Sequence, residues 1–134
     1  EISEAYACRE ALERLAVAEA IEHLQDSDIQ ALYQLVEHYR QAEDAQVLYE
    51  ESQRFDEYIY TLSHNQTLHN LLDMIKGIIS RDKKFSAASA ERRAAITAEH
   101  LAIIRAMEAR DKQKAQEAVS EHIRNGRKFI EPKH

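Results

Sequence analysis

Along this chain the apolar residues return every three or four positions over one stretch after another, the spacing that lines one face of an α-helix. Read by that period, the chain divides into six helices. The first covers 4–24, with Leu12, Leu15, Ala16, Ala18, Ala20 and Ile21 in a broad stripe on an alanine-rich body. Asp26 or Ser27 caps a second over 28–42, whose inward positions are Ile29, Leu32, Leu35 and Val36. A third over 44–63 carries Leu48, Phe55, Ile59 and Leu62 and ends at His64-Asn65. The fourth, 67–85, carries Leu68, Leu71, Leu72, Ile75, Ile78 and Ile79 and accepts Gly77 at about 1 kcal/mol relative to Ala. Residues 86–89 read as a linker, and helices over 90–109 and 112–129 are joined at Arg110-Asp111. Long amphipathic helices with short connections predict an all-α fold, an antiparallel bundle of about six helices.

Composition narrows the function more than the fold. With 134 residues, 44% of them hydrophobic and 31% charged, one domain with one core is expected. Two Gly and one Pro leave little punctuation for hairpins, and neither an internal repeat nor a low-complexity tract is present. A formal charge of −6 repels a phosphate backbone, so the chain by itself is a poor nucleic-acid ligand. The lone Cys8 suits a reducing compartment, which makes the cytoplasm the expected location. No apolar run reaches the length of a membrane span, and no membrane partner is expected. A first residue other than Met suggests a processed or truncated product with more sequence upstream.

Chemistry is most legible where polar groups interrupt the apolar stripes. In the third helix Ser52 takes an inward slot, with Asp56 one turn further along the same flank. In the fifth, His100 shares a stripe with Ile96, Ile103 and Met107. His122 does the same among Ala115, Ala118, Val119 and Ile123 of the sixth. Imidazoles and a carboxylate converging from three helices would suit a divalent metal, with positions left open for water or an anionic ligand. The plainer alternative makes each a core-edge group satisfied by a backbone carbonyl or water. His23, His38, His64, His69 and His134 sit at flanks, helix ends or the tail, where solvated or capping roles are expected. Arg9 either offers a bidentate fork to a ligand carboxylate or pairs with Glu13 at the surface.

The run Glu4-Ala-Tyr-Ala-Cys-Arg-Glu-Ala-Leu-Glu13, the alanine-rich 15–20, Phe55 with Asn65, Glu99-His100-Leu-Ala-Ile-Ile-Arg-Ala106, Arg110-Asp111 with Ala115, and His122-Ile123 form an ordered set. In order and separation this set resembles the effector-binding C-terminal domain, FCD, of FadR-branch GntR-type bacterial transcription regulators. The resemblance covers nearly the whole chain. It implies a bundle that binds a small anionic metabolite, typically an organic or sugar acid, and forms a homodimer. DNA is then contacted only through an N-terminal winged helix-turn-helix module, which this chain does not contain. Many members hold a divalent metal with an Asp and three His, the first two spaced Asp-x-x-x-His. Carried over, His100 and His122 match two ligands, Arg9 matches an effector-facing Arg, and Ser52 and Asn65 join it as effector contacts. Ser52 stands where the family has Asp and Asp56 where it has His, so the implied site is Asp56, His100 and His122 with Zn or Ni.

The sensor reading, without enzyme activity, ranks first. A structural or interaction bundle, in which the inward polar groups only fix helix register, is second. A metal-dependent hydrolase is third, because the one candidate general base, Glu99, is directed elsewhere by helix phase.

Overall fold

The computed structural model describes residues 2–82 and 90–130. They form α1 (Ile2–His23), α2 (Asp26–Tyr39), α3 (Ala45–Leu62), α4 (Gln66–Asp82), α5 (Ala90–Glu108) and α6 (Lys112–Ile130), with no strand among the described residues. The expected linker at 86–89 and the end of the expected fourth helix, 83–85, lie outside the described residues.

With so few glycines, the turns are built from side-chain caps and left-handed non-glycine residues. At the α5–α6 corner Arg110 adopts φ 56°, the Arg110 N–H donates to the Met107 carbonyl and the Asp111 N–H donates to the Ala106 carbonyl. Asp111 then caps α6, its carboxylate accepting from the Lys114 N–H at 3.0 Å. The α3–α4 corner repeats the device: His64 sits at φ 56° and the Asn65 side chain accepts from the Leu68 N–H at 3.0 Å. Asp44 caps α3 by accepting from the Gln46 N–H. At α2 the cap is Gln25 rather than Asp26 or Ser27. Asp28 sits three residues in, where its carboxylate reaches back to the Gln25 N–H at 2.9 Å and draws the start two residues earlier.

α1 is the central helix, packed against α3, α4 and α6, while α2 packs on α3 and α5, and α5 on α6. That position explains its alanines: Ala16, Val17 and Ala20 are fully buried where neighbouring helices come close. Two leucines expected inward are on the surface, Leu15 at 45% and Leu71 at 39% exposure. On α4 the buried stripe is Leu68, Leu72, Ile75 and Ile79, and Leu71 falls one position to its side. On α1 it is Ala5, Tyr6, Glu13, Ala16, Val17, Ala20 and Ile21, which includes a glutamate in place of a leucine.

The fully buried Leu72 and the exposed Leu15 should therefore respond differently to truncation. Leu72→Ala is expected to lower unfolding free energy by about 2–5 kcal/mol, and Leu15→Ala by less than about 1 kcal/mol, in urea titrations. Equal losses would contradict an α1 that turns Leu15 to solvent.

Candidate metal and effector site

The two inward histidines meet. α5 carries His100 and α6 carries His122, and their Nε2 atoms lie 3.2 Å apart. His100 is fully buried, stacked on the Phe55 ring at 4.0 Å between centroids, with its Nδ1 2.5 Å from the Tyr39 hydroxyl. Burial, and then the neighbouring imidazole, push His100 well below its ordinary value, so it is held neutral. His122 Nδ1 lies 2.6 Å from Glu99 Oε1. A carboxylate only accepts, so Nδ1 carries a proton and Nε2 is the His122 nitrogen turned towards His100.

α3 supplies the third donor. Asp56 is 7% exposed, and one ligand atom from each of Asp56, His100 and His122 lies within 4.8 Å of the others. Burial acts to raise the Asp56 carboxyl, but Lys76 and Arg9 outweigh it and hold the group well below the usual carboxylate range. The Lys76 ammonium donates to Asp56 Oδ2 at 2.8 Å, and Arg9 Nη2 lies 3.8 Å from the same oxygen. Arg9 also makes its pair with Glu13, Nε to Oε2 at 2.5 Å, but as an interior pair rather than a surface one. Arg9, Ser52, Asp56, His100 and His122 line one cavity of about 70 Å³, together with Tyr6, Tyr49 and Arg92 among others. That exceeds the ~30 Å³ share of one water, which leaves room for a small ligand beside the histidines.

Asn65 is placed elsewhere. It caps α4, donates to Glu19 Oε1 at 2.9 Å, and does not line this cavity. Ser52 lines the cavity while its hydroxyl donates to the Tyr49 carbonyl one turn back.

Glu99 departs from the direction its helix phase suggests. It lies one residue before His100, on the flank that α6 covers, and is fully engaged there. Oε1 takes His122, Oε2 takes the Asn125 amide at 3.0 Å, and Arg92 Nη1 donates to both at 3.2 and 3.0 Å. Burial would raise its pKa; the His122 hydrogen bond and the charges of His122 and Arg92 lower it instead. A carboxylate so occupied orients an imidazole and is no general base. Lys76 and Arg92 gave no signal in the sequence, since charged positions beside an apolar stripe read as solvent-facing. His69, expected at the surface, forms a second group with Glu57 at 2.7 Å and Asp73 at 3.8 Å, whose donor atoms are also close enough to share a metal.

Fold and site together define a helical regulatory domain with a buried polar centre, not a catalytic fold. The family model for the FCD domain matches residues 4–125, and the chain belongs to that family. Among solved structures it is similar to E. coli McbR/YncC, with a TM-score of 0.83 and 22% identity, covering 94% of this chain and 65% of that one. At that identity the likeness is one of fold, and this chain spans less than two-thirds of that relative's length. No curated protein matches the sequence.

The state of His100 sets a pH dependence. Its folded pKa is depressed, so the folded form binds fewer protons than the unfolded chain below the ordinary histidine value. The stability it contributes is present above about pH 6.5 and is lost as pH falls below it. Chelator-treated protein should therefore show falling urea midpoints between about pH 7 and 5, with a shallower fall in His100→Gln. An identical slope in both proteins would contradict a buried neutral His100.

Proposed function

We propose that this chain is the ligand-sensing domain of a GntR/FadR-type transcription regulator and binds a small organic or sugar acid through the Arg9, Asp56, His100 and His122 cavity. The observation that carries the reading is the convergence of a guanidinium, a carboxylate and two imidazoles from α1, α3, α5 and α6 on one cavity. Arg9 supplies the fork for an effector carboxylate, and Ser52 a hydroxyl beside it.

The donor set fits a divalent metal, Zn or Ni. One Nε2 donates to the other across 3.2 Å, and a divalent cation bound by both nitrogens would take the place of that shared proton. Glu99 on the far nitrogen of His122 is the carboxylate that fixes the tautomer of a metal-binding imidazole. Bound there, the metal would offer a Lewis-acid contact to the effector's carboxylate, and the Arg9 guanidinium would add a second positive group for the same anion.

In the intact regulator, effector binding shifts helix packing and with it the spacing of attached DNA-binding modules. This requires that the effector bind the two arrangements with different affinity. The exposed Leu15, Leu71 and Met74 on the packed pair α1 and α4 support a homodimer face.

The test starts from protein purified without chelator, in a His69→Ala background that silences the Glu57, His69 and Asp73 group. Near-stoichiometric Zn or Ni is expected, lost in His100→Ala/His122→Ala. Acetate, malonate and succinate are then screened by thermal melting. A carboxylate at a hundred times its Kd should stabilise by about 2.7 kcal/mol, and Arg9→Gln should remove most of that. A bundle that no small acid stabilises is an interaction module instead, and a parent protein lacking a DNA-binding module sinks the transcriptional part.

A further inference from the structure

Among the described residues Lys76 is the α4 cation paired with Asp56, and it holds one oxygen of the carboxylate a metal would need. Its side chain is 12% exposed, its ammonium donates to Asp56 Oδ2 at 2.8 Å, and it lies 5.1 Å from the centre of the Tyr60 ring. A divalent metal sits about 2.0–2.2 Å from a carboxylate oxygen. An ammonium hydrogen-bonded to the same carboxylate would be left a few ångströms from a doubly charged ion, inside a poorly screened interior. Arg9, 3.8 Å from this oxygen, already shares its charge with Glu13, so the direct competitor is Lys76.

We propose that Lys76 is an internal competitor for the metal: its ammonium holds Asp56 in the metal-free protein and is displaced when a divalent cation takes the carboxylate. The inference rests on the metal reading of the site and adds to it a consequence for the fold. Lys76 belongs to α4 and Asp56 to α3, so metal entry breaks an ion pair between the helices. Metal occupancy is thereby coupled to the seating of α4, the helix that carries the exposed Leu71 and Met74. The flexible four-carbon stem of lysine lets the ammonium leave the carboxylate for solvent.

The experiment measures Zn and Ni affinity by chelator competition in the His69→Ala background, for Lys76 and for Lys76→Met. Removing the competing charge is expected to tighten binding by about tenfold or more. A second measurement needs no change at position 76: amine acetylation of Lys76, resolved by peptide mass, should rise several-fold when metal is added. Weaker or unchanged affinity in Lys76→Met, or acetylation unaffected by metal, overturns the proposal and makes Lys76 a residue that merely orients the carboxylate. If Lys76→Met does not fold, the acetylation result alone decides. Metal that binds through His122 but ignores Lys76 sinks this inference only. Metal bound by neither protein, or retained in His122→Ala, sinks the metal reading with it.

Discussion

A carboxylate taken out of water in a helical bundle dictates much of what surrounds it. Asp56 is buried, and the bare cost of an unpaired interior charge is several kcal/mol, so cations must be brought to it from other helices. α1 sends Arg9 and α4 sends Lys76. Each new charge then needs its own company: Glu13 answers Arg9 on α1, and Glu99 answers Arg92 and His122 across α5 and α6. The anions Asp56 and Glu13 are thus set against Lys76 and Arg9 in one interior cluster, and Glu99 against Arg92 and His122 in a second beside it. Such clusters add little net stability over an apolar core, but they are intolerant of partial removal, because any lost partner strands a buried charge at about 3–5 kcal/mol. The first cluster therefore fixes how α1, α3 and α4 sit relative to one another, and the second how α5 sits on α6, more strictly than leucine packing alone would.

The helices were legible because their signal is local. A period of three to four, an Asp at 44 and at 111, and polar pairs at His64-Asn65 and Arg110-Asp111 placed most ends within a residue or two. The second helix shows the limit: it starts at Asp26 and ends at Tyr39, not 28 and 42, because a capping contact from Asp28 selects the start. Leu15 and Leu71 show another. A helix touching three neighbours has no single inward direction, and on a narrow stripe a displacement of one residue turns a side chain by about 100°.

The site was legible in half. Asp56, His100 and His122 stood out because each interrupts an apolar stripe, and a polar residue there must find a partner inside. Their partners did not stand out. Lys76, Glu99 and Arg92 occupy flanks of their helices, where a charged residue reads as solvent-facing until the neighbouring helix is known to cover it. Asn65 shows the converse: its order in the chain suggested an effector contact, while its backbone position makes it the cap of α4, tied to Glu19 of α1.

The departure at 52 and 56 acquires a physical sense from this geometry. Positions four apart on a helix share a face, so exchanging the family's Asp-x-x-x-His for Ser52-x-x-x-Asp56 keeps a carboxylate on the cavity side. It moves that carboxylate about 6 Å along the axis, one turn closer to the α3–α4 corner. There it comes within reach of α4, whose other inward side chains are Leu68, Leu72, Ile75 and Ile79. An apolar α4 would leave the displaced carboxylate short of charge compensation, with only an Arg9 already engaged by Glu13. A lysine at 76 supplies the missing cation from α4, and in supplying it ties that helix to the polar centre. The two features belong together: with a histidine at 56, the ammonium of Lys76 would have no carboxylate to meet there, and with Asp56 in place its absence would leave a buried anion underpaired.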